Sequence, residues 1–226
     1  MKAMVLAAGR GERLRPLTDR IPKPLVEVGG KPLIGWHLER LAASGIRQVV
    51  INVSHLAQSI VDHVGDGARY RLQVQYSREA EPLETAGGIA QALPLLGGSP
   101  FLLVNGDIYC EADFGSLLKI NLGPRLAHLV LVPNPPHHLQ GDFSLDGGLI
   151  GNDGTPRYTY AGVAVMSPQL VQPVKRGDKA PLAPLLRGGA RDRRISGELF
   201  GGLWQDVGTM ERLAELEAQL RRDETR

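Results

Sequence analysis

The chain opens on an apolar run, Lys2-Ala3-Met4-Val5-Leu6-Ala7-Ala8, with no polar residues alternating through it. A strand buried on both faces reads this way. The period then changes. Ile34, Leu38, Leu41 and Ala42 recur at helical spacing, and Gly45 stands where a helix C-cap would. Val49 to Val53 is again a buried strand, and Ser54 can cap a helix with the face Leu56, Ile60 and Val64. A strand over 72–76, a helix over 85–96 and a strand over 101–104 follow, and the last ends abruptly at Asn105-Gly106-Asp107. This alternation predicts an α/β fold: a Rossmann-like, mostly parallel (mixed) central sheet with helices on both faces. Ligands of such sheets lie beyond the carboxyl ends of the strands. Two polar segments stand at such ends, the loop after Ala8 and Asn105-Gly106-Asp107.

The second half is less regular. It reads as a strand over 129–132, the loop "PNPPHHLQGD", a hairpin over 143–150, a strand over 160–165 and a short helix over 182–186. Met210, Leu213, Leu216 and Leu220 form the apolar face of a final helix, and "RRDETR" after it is expected to fray. With no repeat, linker or low-complexity tract, residues 1–226 are expected to form a single domain.

Composition narrows the function classes. Hydrophobic residues make up 42% of the 226, ample for a core, and the formal net charge is only +2. No basic stripe favours nucleic acid. No apolar run reaches membrane-spanning length and no leader-like segment precedes the first strand, so a cytoplasmic protein without a membrane partner is expected. The single cysteine, Cys110, fits a reducing compartment and a small core residue. None of the six histidines has metal-ligand spacing, and His137-His138 reads as loop surface.

Charge is concentrated in "LAAGRGERLRPLTDRIPKPL", residues 6–25. Glycines 9 and 11 let backbone N–H groups approach an anion with no Cβ in the way. Arg15 offers a planar fork and Lys23 a point charge, read as a loop cation open to solvent and restricted by Pro22 and Pro24. A dinucleotide fingerprint fails, since Leu14 stands at the third glycine and no acid ends the second strand. A P-loop fails too, because Gly30-Lys31 is followed by Pro32.

The string Leu-x-Ala-Gly-x-Gly-x-Arg-Leu-x-Pro-Leu-Thr followed by Pro-Lys-Pro-Leu resembles the signature of the sugar-1-phosphate nucleotidylyltransferases. The resemblance implies a nucleotidyltransferase (GT-A-like) fold, with residues 1–122 mainly for the nucleotide, 123–208 mainly for the sugar phosphate and 209–222 as the C-terminal helix. It implies that Ala8, Gly9, Gly11, Glu12, Arg13 and Lys23 hold the nucleotide, with Arg15 on the leaving phosphates. It implies Mg²⁺ on Asp107 and on Asp206 of "WQDVGT", and Asn105 on the ribose or the sugar phosphate. "REAEPLETAGGI" resembles the base-reading segment, with Glu79 at the family's Gln position and Glu84-Thr85 replacing its Gly-Thr. A carboxylate only accepts hydrogen bonds, so Glu79 suits the N–H edge of uracil, thymine or guanine and disfavours cytosine and adenine. Thr85 and backbone N–H groups near Gly87 or Gly88 complete that site.

Gly141 and Gly162 are the candidates on the sugar side. The implied partners are UTP and a sugar 1-phosphate, and the implied assembly is a monomer or small homo-oligomer. The compact length with "GDF", "YAG" and "WQDVGT" is most similar to the uridylyltransferases of bacterial cell-wall recycling, which act on N-acetylmuramate 1-phosphate. No residue is singled out as a reader of that sugar's lactyl group. Guanylyl transfer to mannose 1-phosphate is the rival within this chemistry. A non-catalytic nucleotide-sensing module is the rival outside it, though sensing needs no Lys23, Asp107 and Asp206 together.

Overall fold

β1 (Lys2–Leu6) lies inside the sheet because its composition demands it: Ala3, Met4 and Val5 are fully buried, and alternate residues enter opposite cores. The structure, a computed structural model, describes residues 1–224. After the basic loop come a small hairpin, β2 (Glu27–Val28) and β3 (Lys31–Pro32), and then α1 (Leu33–Ala43). β4 (Gln48–Val53), α2 (Ala57–Val64), β5 (Gln73–Arg78), α3 (Glu84–Leu96) and β6 (Phe101–Asn105) complete the alternation. β5, β4, β1 and β6 are parallel neighbours, with Met4 level with Val50 on one side and Leu103 on the other.

β7 (Ile108–Cys110) and α4 (Phe114–Leu117) lead into the second half. There follow β8 (Ala127–Val132), the hairpin β9 (Phe143–Asp146) and β10 (Leu149–Gly151), β11 (Arg157–Met166) and α5 (Ala183–Arg191). β12 (Ile195–Leu199), β13 (Trp204–Asp206) and α6 (Met210–Glu224) end the described chain. The nine-stranded sheet has the order β5-β4-β1-β6-β11-β8-β12-β10-β9. β11 runs antiparallel against β6, so the two halves share one mixed sheet. One core lies under α1, α2 and α4, the other under α3 and α5.

Some elements differ from the sequence expectation. α2 starts at Ala57 with Leu56 in the left-handed region (φ 51°), and Ser54 supplies its carbonyl rather than a side-chain cap. α5 runs on to Arg191, and glycine at 189 lets it pack closely, since a Cβ there would come within 2.8 Å of the Ile195 side chain. β12 carries Gly197 and Glu198 and has no apolar period to betray it; Gly197 is needed because Leu129 O lies 2.8 Å from where its Cβ would be. The three-residue strands β7 and β13 pair only with each other. α6 continues through the segment expected to fray as far as Glu224, while Thr225 and Arg226 lie outside the described residues.

α6 has a positional role. Leu216 and Leu220 pack with Leu14 of the basic loop, Val28, Leu33, Tyr109 and Val207, whereas Met210 is exposed, contrary to its place on the predicted apolar face. Burying a leucine contributes about 1.5–3 kcal/mol, so this third cluster ties the two loops carrying Leu14 and Val207 to one helix. Among the described residues no helix is long and apolar enough to cross a membrane.

Candidate active site

A cleft of about 800 Å³ opens beyond the carboxyl ends of β1, β4 and β6. Ala8, Gly9, Gly11, Glu12 and Arg13 line it as expected, with Arg10 beside them. The loop is shaped by Gly11, which takes the left-handed φ of 65° and accepts a hydrogen bond from the buried Thr18 hydroxyl (2.7 Å). A Cβ at Gly9 would meet nothing within 4 Å, so the fold leaves that position free. Arg15 departs from expectation: it is half exposed, pairs with Asp19 at 3.1 Å and is absent from the cleft wall. Its place on the wall is taken by Arg10 and Arg13, the latter near Gly208.

Lys23 enters the cleft from a single turn of 3₁₀ helix and is 7% exposed, not the solvent-open cation expected. Its Nζ donates to Asp107 Oδ2 at 2.7 Å. Asp107 is held by backbone geometry. Gly106 N–H donates to Leu6 O, and a Cβ at Gly106 would fall 2.5 Å from that oxygen, so only glycine lets the turn close onto β1. Next to the turn, the fully buried His37 contacts Ile108 O through Nε2 (2.8 Å), and burial pushes its pKa down to about 4. A lone histidine on an apolar helix face gives no sequence sign of that contact.

Asp206 reaches the same end of the sheet through β13: it is level with Ile108, and Val207 N–H donates to Asp107 O at 3.0 Å. Its carboxylate pairs with Arg212 of α6, and His137 Nε2 lies 3.1 Å from Oδ1. His137, expected as bare loop surface, thus belongs to this cluster. Among the described residues no group of three or more His, Cys, Asp or Glu forms a metal cage. Mg²⁺ does not require one, since it typically takes one or two carboxylates and completes its shell with phosphate and water. Two hard carboxylates, one on the turn before β7 and one at the end of its partner strand β13, suit that ion.

Across the cleft, Glu79 is 6% exposed, and each carboxylate oxygen accepts one protein hydrogen bond, which leaves further lone pairs on the cleft wall. Ala7 N–H donates to Asn52 Oδ1 (2.8 Å), Asn52 Nδ2 donates to Glu79 Oε1 (2.7 Å), and Leu83 N–H donates to Glu79 Oε2 (3.0 Å). Asn52, unnoticed in the sequence because it ends an apolar strand, is the centre of this relay. Gly88 permits it, since a Cβ there would lie 2.7 Å from Glu79 Oε1. Gly87 N–H is not free for a base: it donates to Ala180 O. Glu84, in the position of the family's glycine, adopts the left-handed φ of 60° that favours glycine, and Thr85 follows it on the cleft wall.

A second cavity of about 420 Å³ shares Glu84, Thr85 and Asn105 with the first. Gly162 (φ 77°) lies against the Asn105 amide, and Gly141 (φ 60°) fits against Asn134 and Tyr158 N. Neither glycine lines either cavity; their neighbours Tyr160 and Asp142 do. Asp142 accepts from Tyr160 N–H at 2.8 Å. The Tyr160 hydroxyl and Asn105 Oδ1 are buried with no hydrogen-bond partner among the described residues, and burial raises the phenol pKa.

Residues 2–126 match the family model for nucleotidyl transferases. The chain is 52% identical over 225 residues to the N-acetylmuramate alpha-1-phosphate uridylyltransferase of Neisseria meningitidis serogroup B, covering 96% of this chain and 97% of that one. It is 33% identical to the protein of the same description from Caulobacter vibrioides, covering 96% of each. Its fold matches a glucose-1-phosphate thymidylyltransferase crystal structure from Bacillus anthracis with a TM-score of 0.86 at 18% identity, over 98% of this chain and 95% of that one.

Proposed function

The chain belongs to the nucleotidyl transferase family, as an enzyme of its sugar-1-phosphate branch, and on that premise we propose that it transfers UMP from UTP to N-acetylmuramate α-1-phosphate. A phosphate oxygen of the sugar attacks the α-phosphorus of UTP in line. The new P–O bond forms as the bond to the bridging oxygen breaks, and pyrophosphate leaves with that electron pair. A phosphate dianion is already a nucleophile, so the chain supplies position and charge rather than a base.

Each wall has its part. The Gly9–Arg13 backbone and the Arg10 and Arg13 side chains hold the triphosphate, and Lys23 carries charge at the reacting phosphates. Glu79 accepts the N3–H of uracil, and Asn105, between the two cavities, orients the acceptor sugar. Asp107 and Asp206 are the residues that hold Mg²⁺, which when bound neutralises phosphate charge. The Lys23–Asp107 contact keeps the cation in place until substrate arrives.

The observation that carries the reading is the convergence of the basic loop, the Lys23–Asp107 pair and Glu79 on one cleft. Identity over nearly the full length of the Neisseria relative supports the choice of nucleotide and sugar. The product then serves cell-wall recycling in the cytoplasm. A pyrophosphate-release assay of UTP, CTP, GTP and dTTP against several sugar 1-phosphates tests it. Best turnover with UTP and N-acetylmuramate 1-phosphate is expected; preference for GTP and mannose 1-phosphate would replace this reading with the guanylyl one.

A further inference from the structure

The second cavity is unusual for a site that takes a sugar. Phe143, Leu182, Ala183 and Leu186 make much of its wall apolar. Its acids are already answered: Asp142 lies 3.1 Å from His138 Nε2, and Glu84 lies 3.7 Å from Lys179 Nζ. Arg187 is different. It is exposed at the cavity, its guanidinium lies 5.4 Å from the centre of the Phe143 ring, and it makes no ion pair among the described residues. An arginine resting on an aromatic face keeps its fork of donors free for a planar anion. Farther in, the Tyr160 hydroxyl and Asn105 Oδ1 are buried polar atoms without partners, an arrangement that costs stability unless a ligand satisfies them.

A hexose bearing only hydroxyls answers neither the apolar wall nor the unpaired cation. A sugar carrying a carboxylate on a short alkyl arm answers both. Resting on the uridylyl-transfer reading above, we infer that Arg187 selects the substrate by pairing with a carboxylate borne on the sugar ring. Leu182, Ala183 and Leu186 pack the alkyl part of that arm. Tyr160 and Asn105 meet the ring's own polar groups at the junction with the nucleotide cleft. In N-acetylmuramate the group concerned is the lactyl ether, the one feature that N-acetylglucosamine lacks.

The test measures kcat/KM with UTP for N-acetylmuramate α-1-phosphate and N-acetylglucosamine α-1-phosphate, in the wild type, Arg187→Met and Arg187→Lys. In Arg187→Met the preference for the carboxylate-bearing sugar should fall about 10- to 150-fold, the worth of one charge-assisted hydrogen bond, and the loss should appear in KM. Arg187→Lys should recover part of it. The stabilisation of the protein by N-acetylmuramate 1-phosphate alone, read as a shift in melting temperature, should shrink in the same order. An unchanged preference, or a parallel loss with both sugars, overturns the role of Arg187 while leaving uridylyl transfer intact. A wild-type enzyme that does not turn over N-acetylmuramate 1-phosphate overturns both readings.

Discussion

Glu79→Gln is a sharp probe of the cleft because it changes one atom type at nearly constant volume. In the native protein both carboxylate oxygens face donors, Asn52 Nδ2 at 2.7 Å and Leu83 N–H at 3.0 Å. A glutamine must turn its NH₂ toward one of them, so either the buried Asn52 amide or the partly buried Leu83 N–H loses its acceptor. That costs about 1–3 kcal/mol. For a chain of this length each kcal/mol lowers the melting temperature by about 2–4 °C, so a fall of about 2–12 °C is expected in calorimetry. The base should feel the change as well. A charge-assisted bond to uracil N3–H is worth about 1.5–3 kcal/mol and a neutral one about 0.5–1.5, while the new amide can donate to cytosine N3. The ratio of kcat/KM for UTP to that for CTP should therefore drop roughly tenfold, measured with one sugar phosphate at fixed Mg²⁺. An unchanged melting temperature would refute the buried relay through Asn52. A lowered melting temperature with an unchanged ratio would confine Glu79 to holding the segment from 79 to 83.

Gly9→Ala should leave thermal stability unchanged, since its Cβ meets no protein atom within 4 Å, while raising the KM for UTP several-fold; equal KM values would remove Gly9 from the phosphate site. Lys23→Ala should abolish most turnover while circular dichroism stays native, and near-normal kcat would end its assignment to the reacting phosphates. Asp107→Asn and Asp206→Asn should each raise the Mg²⁺ concentration needed for half-maximal rate; an effect at Asp107 alone would return Asp206 to its ion pair with Arg212. His37 makes stability depend on pH. Its folded pKa of about 4 lies below the unfolded 6.5, so the unfolded chain takes up the proton first as pH falls. Stability from this group is complete above about pH 6.5 and is lost by about 3 kcal/mol on going down to pH 4. His37→Gln should flatten that slope in urea unfolding curves, and an unaltered slope would assign it to other groups.

Much of the molecule was legible in the chain. The first half shows β1, β4 and β6 because a strand covered on both faces is largely apolar, and the intervening helices carry a different period. The basic loop was legible as a cleft wall because glycines and cations within one short segment act locally, and Asp107 because it lies two residues beyond the end of a buried strand. β7 and β13 were not: each has three residues, too few for a period, and pairs with a strand remote in the chain.

Tertiary structure alone decided how the local chemistry is used. Lys23 and Arg15 look alike as loop cations, yet one is buried on Asp107 and the other pairs with Asp19 at the surface. Glu79 and Glu84 both lie in one polar segment, but only Glu79 meets Asn52, across 27 positions of sequence. His137 joins Asp206 from a loop 69 residues away, and Arg187 reaches the Phe143 ring from a helix formed much later in the chain. Local pattern governs which backbone states a segment favours and how polar it is. Burial and pairing depend on which distant atoms the sheet brings within hydrogen-bond reach, and a one-dimensional pattern carries no such distance.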